Sequence, residues 1–154
     1  MIAIRKPTLA DVPMMIRLME PHVRSEALLP RTPRAVQERL RDYVVAEQQG
    51  RLVGLASLSI VDEDLAELGA VVSDGAGMLG DLVEAVLDEA RAMGVRRTFV
   101  LAPDVAPYAA LGFPPTPIDA LPEKRDRQCL RCPRLPRCRQ VALVKELDAV
   151  AVAA

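Results

Sequence analysis

Leu65-Ala66-Glu67-Leu68-Gly69-Ala70-Val71-Val72, then Ser73-Asp74-Gly75-Ala76-Gly77-Met78-Leu79-Gly80, then Asp81-Leu82-Val83-Glu84-Ala85-Val86-Leu87, is the stretch whose reading decides the fold. Its first third reads as a long strand and its middle as a glycine-rich loop. Leu79, Leu82, Val83, Val86, Leu87, Ala90 and Met93 then recur at helical spacing as one apolar stripe, ended by Gly94. A glycine turn between a strand and a helix is a ready anion site, because the first helical N–H groups have no partner inside the helix. Val95 to Leu101 reads as the next strand, so the order is strand, loop, helix, strand.

Upstream, Ile2 to Arg5 predicts a short first strand. Thr8-Leu9-Ala10-Asp11 fits a capping box opening a helix with Leu9, Val12, Ile16 and Met19 on one face, and Pro21 predicts its end. Leu28 to Arg31 is a loop. Thr32 and Pro33 make an N-cap and first-turn pair for a second helix carrying Val36 and Leu40. Tyr43 to Gln48 and Arg51 to Ile60 form a hairpin around Gln49-Gly50. The second of these strands is apolar or small on both faces, which predicts a central place. Downstream, Val105 to Ala110 reads as a short helix ended by Gly112. Pro114 to Cys138, rich in Pro and Arg, reads as an irregular excursion, and Gln140 to Lys145 as a last strand. One α/β domain over 1–147 is expected, with 148–154 as a frayed tail.

Composition narrows the classes. The chain has 154 residues, enough for a core, and 51% of them are apolar. With two Tyr, two Phe and no Trp, that core must be aliphatic. A net charge of −1 argues against nucleic acid or an anionic membrane as partner. No apolar run approaches a membrane span, and the start is strand-like rather than a signal peptide. Cys129, Cys132 and Cys138 cluster without an export signal, so a reducing, cytoplasmic setting is expected. Structural zinc normally takes four ligands; nothing places His22, the lone histidine, beside three thiols, so free thiols or a local disulfide are expected rather than a metal.

The element order, together with several stretches, resembles the GNAT superfamily, and within it the acetyltransferase domain of N-acetylglutamate synthases. Those stretches are Ile4-Arg5 with Thr8 to Pro13, Ala27 to Arg31, Asp42 to Glu47 running to Gly54, Asp64 to Leu68, and Tyr108 to Phe113. Leu121-Pro122-Glu123-Lys124 and Cys129-Leu130-Arg131-Cys132-Pro133 complete them, and the last is unusual among GNAT proteins. The resemblance implies a single mixed central sheet flanked by helices. It implies direct acetyl transfer from acetyl-CoA to the amine of a glutamate-like amino acid or other small amine. It also implies a cofactor lying between two splayed parallel strands, and a homodimer as the assembly to expect.

Carried onto this sequence, the resemblance makes Glu67 the general base and Tyr108, in its Tyr-x-x-Leu-Gly-Phe pattern, the general acid for the departing thiolate. Val71 and Val72 would pair with the pantetheine; Gly75, Gly77 and Gly80 would cradle the pyrophosphate. Arg31 would bind the acceptor's carboxylate, a task suited to a fixed guanidinium fork. The residues also read plainly as a solvated strand glutamate, a packed ring and a surface arginine. Three positions depart from the family. Asp74 stands where an Arg or Gln is usual, and a carboxylate repels a pyrophosphate by about 1 kcal/mol in water and about 4 at an effective dielectric of 20. Leu79 replaces a small residue, and Asp104 would favour a basic over an acidic acceptor. The alternative is therefore a degenerate GNAT domain that binds a ligand or partner without acetyl-CoA.

Overall fold

Local signals of the chain explain most of the first four strands and the helices between them. The computed structural model describes residues 1–75 and 77–148. In it β1 (Ile2–Arg5) leads through a 3₁₀ turn at Leu9–Asp11 into α1 (Val12–Arg24). The Asp11 carboxylate accepts the Thr8 N–H at 2.7 Å, as a capping acid should. The same carboxylate holds Arg5 (2.8 Å), whose hydrogen bond is the main reason Asp11 titrates near 2.

α1 does not stop at Pro21. Proline removes one donor, but its carbonyl still accepts the Ser25 N–H at 3.1 Å, and in the last turn little helix remains to be disrupted. Glu26, at φ 63°, closes it instead. Thr32 Oγ1 accepts the Ala35 N–H (3.1 Å) and caps α2 (Pro33–Glu38). Leu40 lies beyond that helix, in a separate 3₁₀ turn at Leu40–Asp42.

β2 (Tyr43–Gln48) and β3 (Arg51–Asp62) form the expected hairpin, with Gln49 and Gly50 both left-handed at φ 51° and 72°. Every residue from Leu52 to Leu58 in β3 is buried, as both apolar faces require. β4 (Leu65–Ser73) alternates half-buried Glu67, Gly69 and Val71 with buried Leu68, Ala70 and Val72. α3 (Leu79–Ala92) buries Leu82, Val83, Val86, Leu87 and Ala90 completely. Met93 falls past the helix end and is exposed, so the stripe is one residue shorter than its spacing suggested. Gly94, at φ 82°, makes the stop.

β5 (Arg97–Ala102), α4 (Ala106–Ala109), α5 (Pro122–Arg127) and β6 (Val141–Glu146) follow. The segment from Pro114 to Cys138 is less irregular than its composition suggested: α5 and three 3₁₀ turns, at Ile118–Ala120, Cys129–Arg131 and Leu135–Arg137, occupy much of it. The expected tail beyond Asp148, and Ala76 of the glycine loop, lie outside the described residues. No described helix is long and apolar enough to cross a membrane.

The six strands form one mixed sheet in the order β1-β2-β3-β4-β5-β6, flanked by helices. By contact the chain groups into two compact units. The first takes Met1–Ser59 with Leu68–Glu89; the second takes Ile60–Glu67 with the chain from Ala90 on. The first has a core of Val12, Met15, Met19, Val36, Val45, Leu55 and Val72, among others. The second is built on Leu65, Phe99, Leu121 and Ala142.

One close approach in the first unit explains a glycine. A Cβ on Gly54 would meet Leu82 Cδ1 at 2.9 Å, the Val72 carbonyl at 3.0 Å and Met78 Sδ at 3.2 Å. Gly54→Ala is expected to destabilise the protein by about 1–3 kcal/mol through overpacking, read as a lower midpoint in urea.

Candidate functional site

In the first unit, Gly75 (φ 133°) and Gly77 (φ 110°) take backbone conformations that side chains rarely adopt, with open space around both. They lead into α3, whose first N–H groups have no intrahelical acceptor. Gly80 sits within the first turn of that helix rather than in the loop. Asp74 donates its N–H to the Val53 carbonyl at 2.7 Å, which anchors the loop to β3. Its carboxylate is 63% exposed and stands 4.0 Å from the Arg51 guanidinium. Solvent and that counter-charge both weaken the repulsion expected from an acid here. An open hollow of about 240 Å³, lined by Gln48, Gln49, Arg51, Val53 and Asp74, adjoins them.

Ala70, immediately before Val71 and Val72, is left-handed at φ 48°. A non-glycine residue there is uncommon and costs about 1 kcal/mol. It re-aims the peptide groups on either side of it, in the part of β4 assigned to the pantetheine. No sequence signal marks it.

Arg31 is not a free surface arginine. Its Nη1 donates to the Tyr43 hydroxyl at 2.7 Å, and its guanidinium lies 5.9 Å from the centre of that ring.

In the second unit, Glu67 is not a solvated strand residue. Lys124 Nζ donates to Glu67 Oε2 at 2.7 Å and also to the side-chain oxygen of Gln128. The side chains are 10% exposed for Lys124 and 17% for Glu67, so this is a largely buried ion pair. Lys124 is brought there by α5, whose first turn is tied down next door. Arg97 bridges Asp64 (3.1 Å) and Glu123 (3.2 Å), and its hydrogen bond holds the Asp64 carboxyl below the usual carboxylate range. No local sequence signal marks Lys124 as the partner of Glu67, which lies 57 positions away.

Tyr108 is 8% exposed and meets Phe113 edge-on, with centroids 6.3 Å apart. Burial pushes its phenol up to about 12, so it stays protonated across the neutral range. The turn beyond it is clamped: Lys145 Nζ donates to the Leu111 carbonyl at 2.9 Å and lies 5.7 Å from the centre of the Phe113 ring. One oxygen of the exposed Asp104 carboxylate accepts the Ala106 N–H (3.3 Å) at the start of α4.

Cys129, Cys132 and Cys138 are free thiols, and burial pushes the Cys129 thiol up. Among the described residues no three His, Cys, Asp or Glu side chains converge on a metal position.

No family model matches the chain. It is 28% identical over 151 residues to an uncharacterized N-acetyltransferase of Chlorobaculum tepidum, covering 94% of this chain and 96% of that protein. It is 32% identical over 129 residues to an amino-acid acetyltransferase of Pseudomonas fluorescens SBW25, covering 79% of this chain but only 30% of that longer protein. In structure it overlays on N-acetylglutamate synthase from Neisseria gonorrhoeae, complexed with coenzyme A and N-acetyl-glutamate. That match has a TM-score of 0.84 at 24% identity and covers 96% of this chain and 35% of the other. The chain thus has the GNAT fold and is similar to N-acetyltransferases along the stretches that carried the sequence resemblance.

Proposed function

We propose that the protein transfers an acetyl group from acetyl-CoA to the amino group of a glutamate-like amino acid. The observation that carries this reading is the glycine loop. Gly75 and Gly77 hold conformations suited to backbone approach, directly before the N-terminus of a 14-residue helix, after a strand that carries a carboxylate in its middle. The loop and the first turn of α3, with Gly80, take the pyrophosphate, and Val71 and Val72 offer peptide groups to the pantetheine.

Glu67 takes a proton from the acceptor's ammonium, and the freed lone pair attacks the thioester carbonyl carbon. As the tetrahedral adduct collapses the C–S bond breaks, Tyr108 gives its proton to the departing thiolate, and the adduct's nitrogen gives up its second proton, which restores the Tyr108 phenol. The products are the N-acetyl amino acid, CoA thiol and one proton released to solvent. Arg31 binds a carboxylate of the acceptor.

Calorimetric titration with acetyl-CoA tests the reading first, followed by CoA release with L-glutamate. Micromolar affinity and glutamate-dependent release are expected. Absence of binding at millimolar acetyl-CoA would sink the reading and leave the degenerate domain that Asp74 and Leu79 suggest. Tyr108→Phe keeps the edge-on ring and removes only the hydroxyl. It is expected to lower kcat about 10²-fold, with the thermal midpoint unchanged.

A further inference from the structure

Arg31 stands at the end of a loop, yet its guanidinium is fixed from several sides. Nη1 is spent on the Tyr43 hydroxyl, and the cation lies against the ring of the same residue, which is 3% exposed. Nη2 passes 3.5 Å from the point where a side chain on Gly69 would begin. Gly69 has no left-handed φ, so conformational freedom does not explain it. Space does: a Cβ there would also stand 3.2 Å from Ser57 Oγ, whose hydroxyl donates to the Gly69 carbonyl at 2.6 Å.

Arg5, Arg97 and Arg125 all hold carboxylates, whereas among the described residues no ion pair joins Arg31 to one. A partly buried guanidinium, oriented by a neutral phenol and lacking a counter-ion, is prepared to receive an anion. The planar fork fits a carboxylate edge-on, and with Nη1 committed to Tyr43 the remaining N–H groups keep one direction.

We propose that Tyr43 and Gly69 are specificity-determining residues of the acceptor site. Tyr43 orients Arg31, and Gly69 keeps open the space its guanidinium needs, so that the enzyme selects amines carrying a carboxylate. This rests on the acetyl-transfer reading above. Neither residue touches the reacting atoms; both act through Arg31.

The test is steady-state kinetics with L-glutamate for Tyr43→Phe and Gly69→Ala, alone and with Arg31→Ala, beside acetyl-CoA affinity by calorimetry. The expected result is a KM for glutamate raised about tenfold in each single variant, the size of one lost hydrogen bond to a charged group. Alongside it kcat stays within about twofold and acetyl-CoA affinity does not change. In the Arg31→Ala background, Tyr43→Phe adds nothing further. If Gly69→Ala fails to fold, Tyr43→Phe carries the test alone. An unchanged KM in Tyr43→Phe, a loss in kcat instead of KM, or full additivity with Arg31→Ala overturns the inference while acetyl transfer stands. A wild-type protein that does not bind acetyl-CoA overturns both.

Discussion

Glu67→Gln lowers kcat for acetyl transfer by about 10²–10⁴-fold, the usual contribution of a positioned base, and leaves acetyl-CoA affinity as it was. The substitution is nearly isosteric. The amide oxygen still accepts from Lys124 Nζ, which stands 2.7 Å from Glu67 Oε2, so the geometry survives while proton acceptance is lost and the largely buried ammonium loses its counter-charge, at some cost in stability. Wild-type turnover in this variant, measured as CoA release at saturating glutamate, would assign the proton transfer to another group. A loss confined to KM would recast Glu67 as a binding residue.

Lys124→Met destabilises the fold by about 3 kcal/mol, because it leaves a largely buried carboxylate without its cation. The partial exposure of both side chains keeps the figure at the low end of what such a deletion costs. Urea unfolding gives the number directly. Glu67→Gln in the same chain recovers part of the loss, since it removes the charge that the methionine stranded, and the double-mutant cycle isolates the pair. A loss below about 0.5 kcal/mol in the single variant would place it among surface substitutions and mean that the pair is incidental to stability.

Much of the fold was legible because its signals are local. Gln49-Gly50 predicts a hairpin and both residues adopt the left-handed conformations it needs; Thr32-Pro33 predicts a helix start and Thr32 Oγ1 makes the cap. The strand–glycine loop–helix stretch could be read as a unit for the same reason. Pro21 misled because a proline in a final turn removes a single hydrogen bond, too little to end a helix whose carbonyls still find donors. The partner of Glu67 was illegible for a different reason. Lys124 is 57 positions away, delivered by a short helix inside a segment whose Pro and Arg content hides any periodicity. Nor does an alanine announce a left-handed backbone, so the distortion at Ala70 has no mark in the sequence. The candidate residues themselves came from the family resemblance; their partners came from the structure.

The scarcity of aromatic residues has an optical consequence. With no tryptophan in the chain, ultraviolet emission arises from tyrosine alone, and there are two: Tyr43 against the Arg31 guanidinium and Tyr108 against the Phe113 ring. One reports on the residue assigned to the acceptor's carboxylate and the other on the residue assigned to the leaving thiolate. Tyr43→Phe and Tyr108→Phe each leave a single fluorophore, so the surroundings of each ring can be followed separately in an unlabelled protein as an amino acid or acetyl-CoA is added.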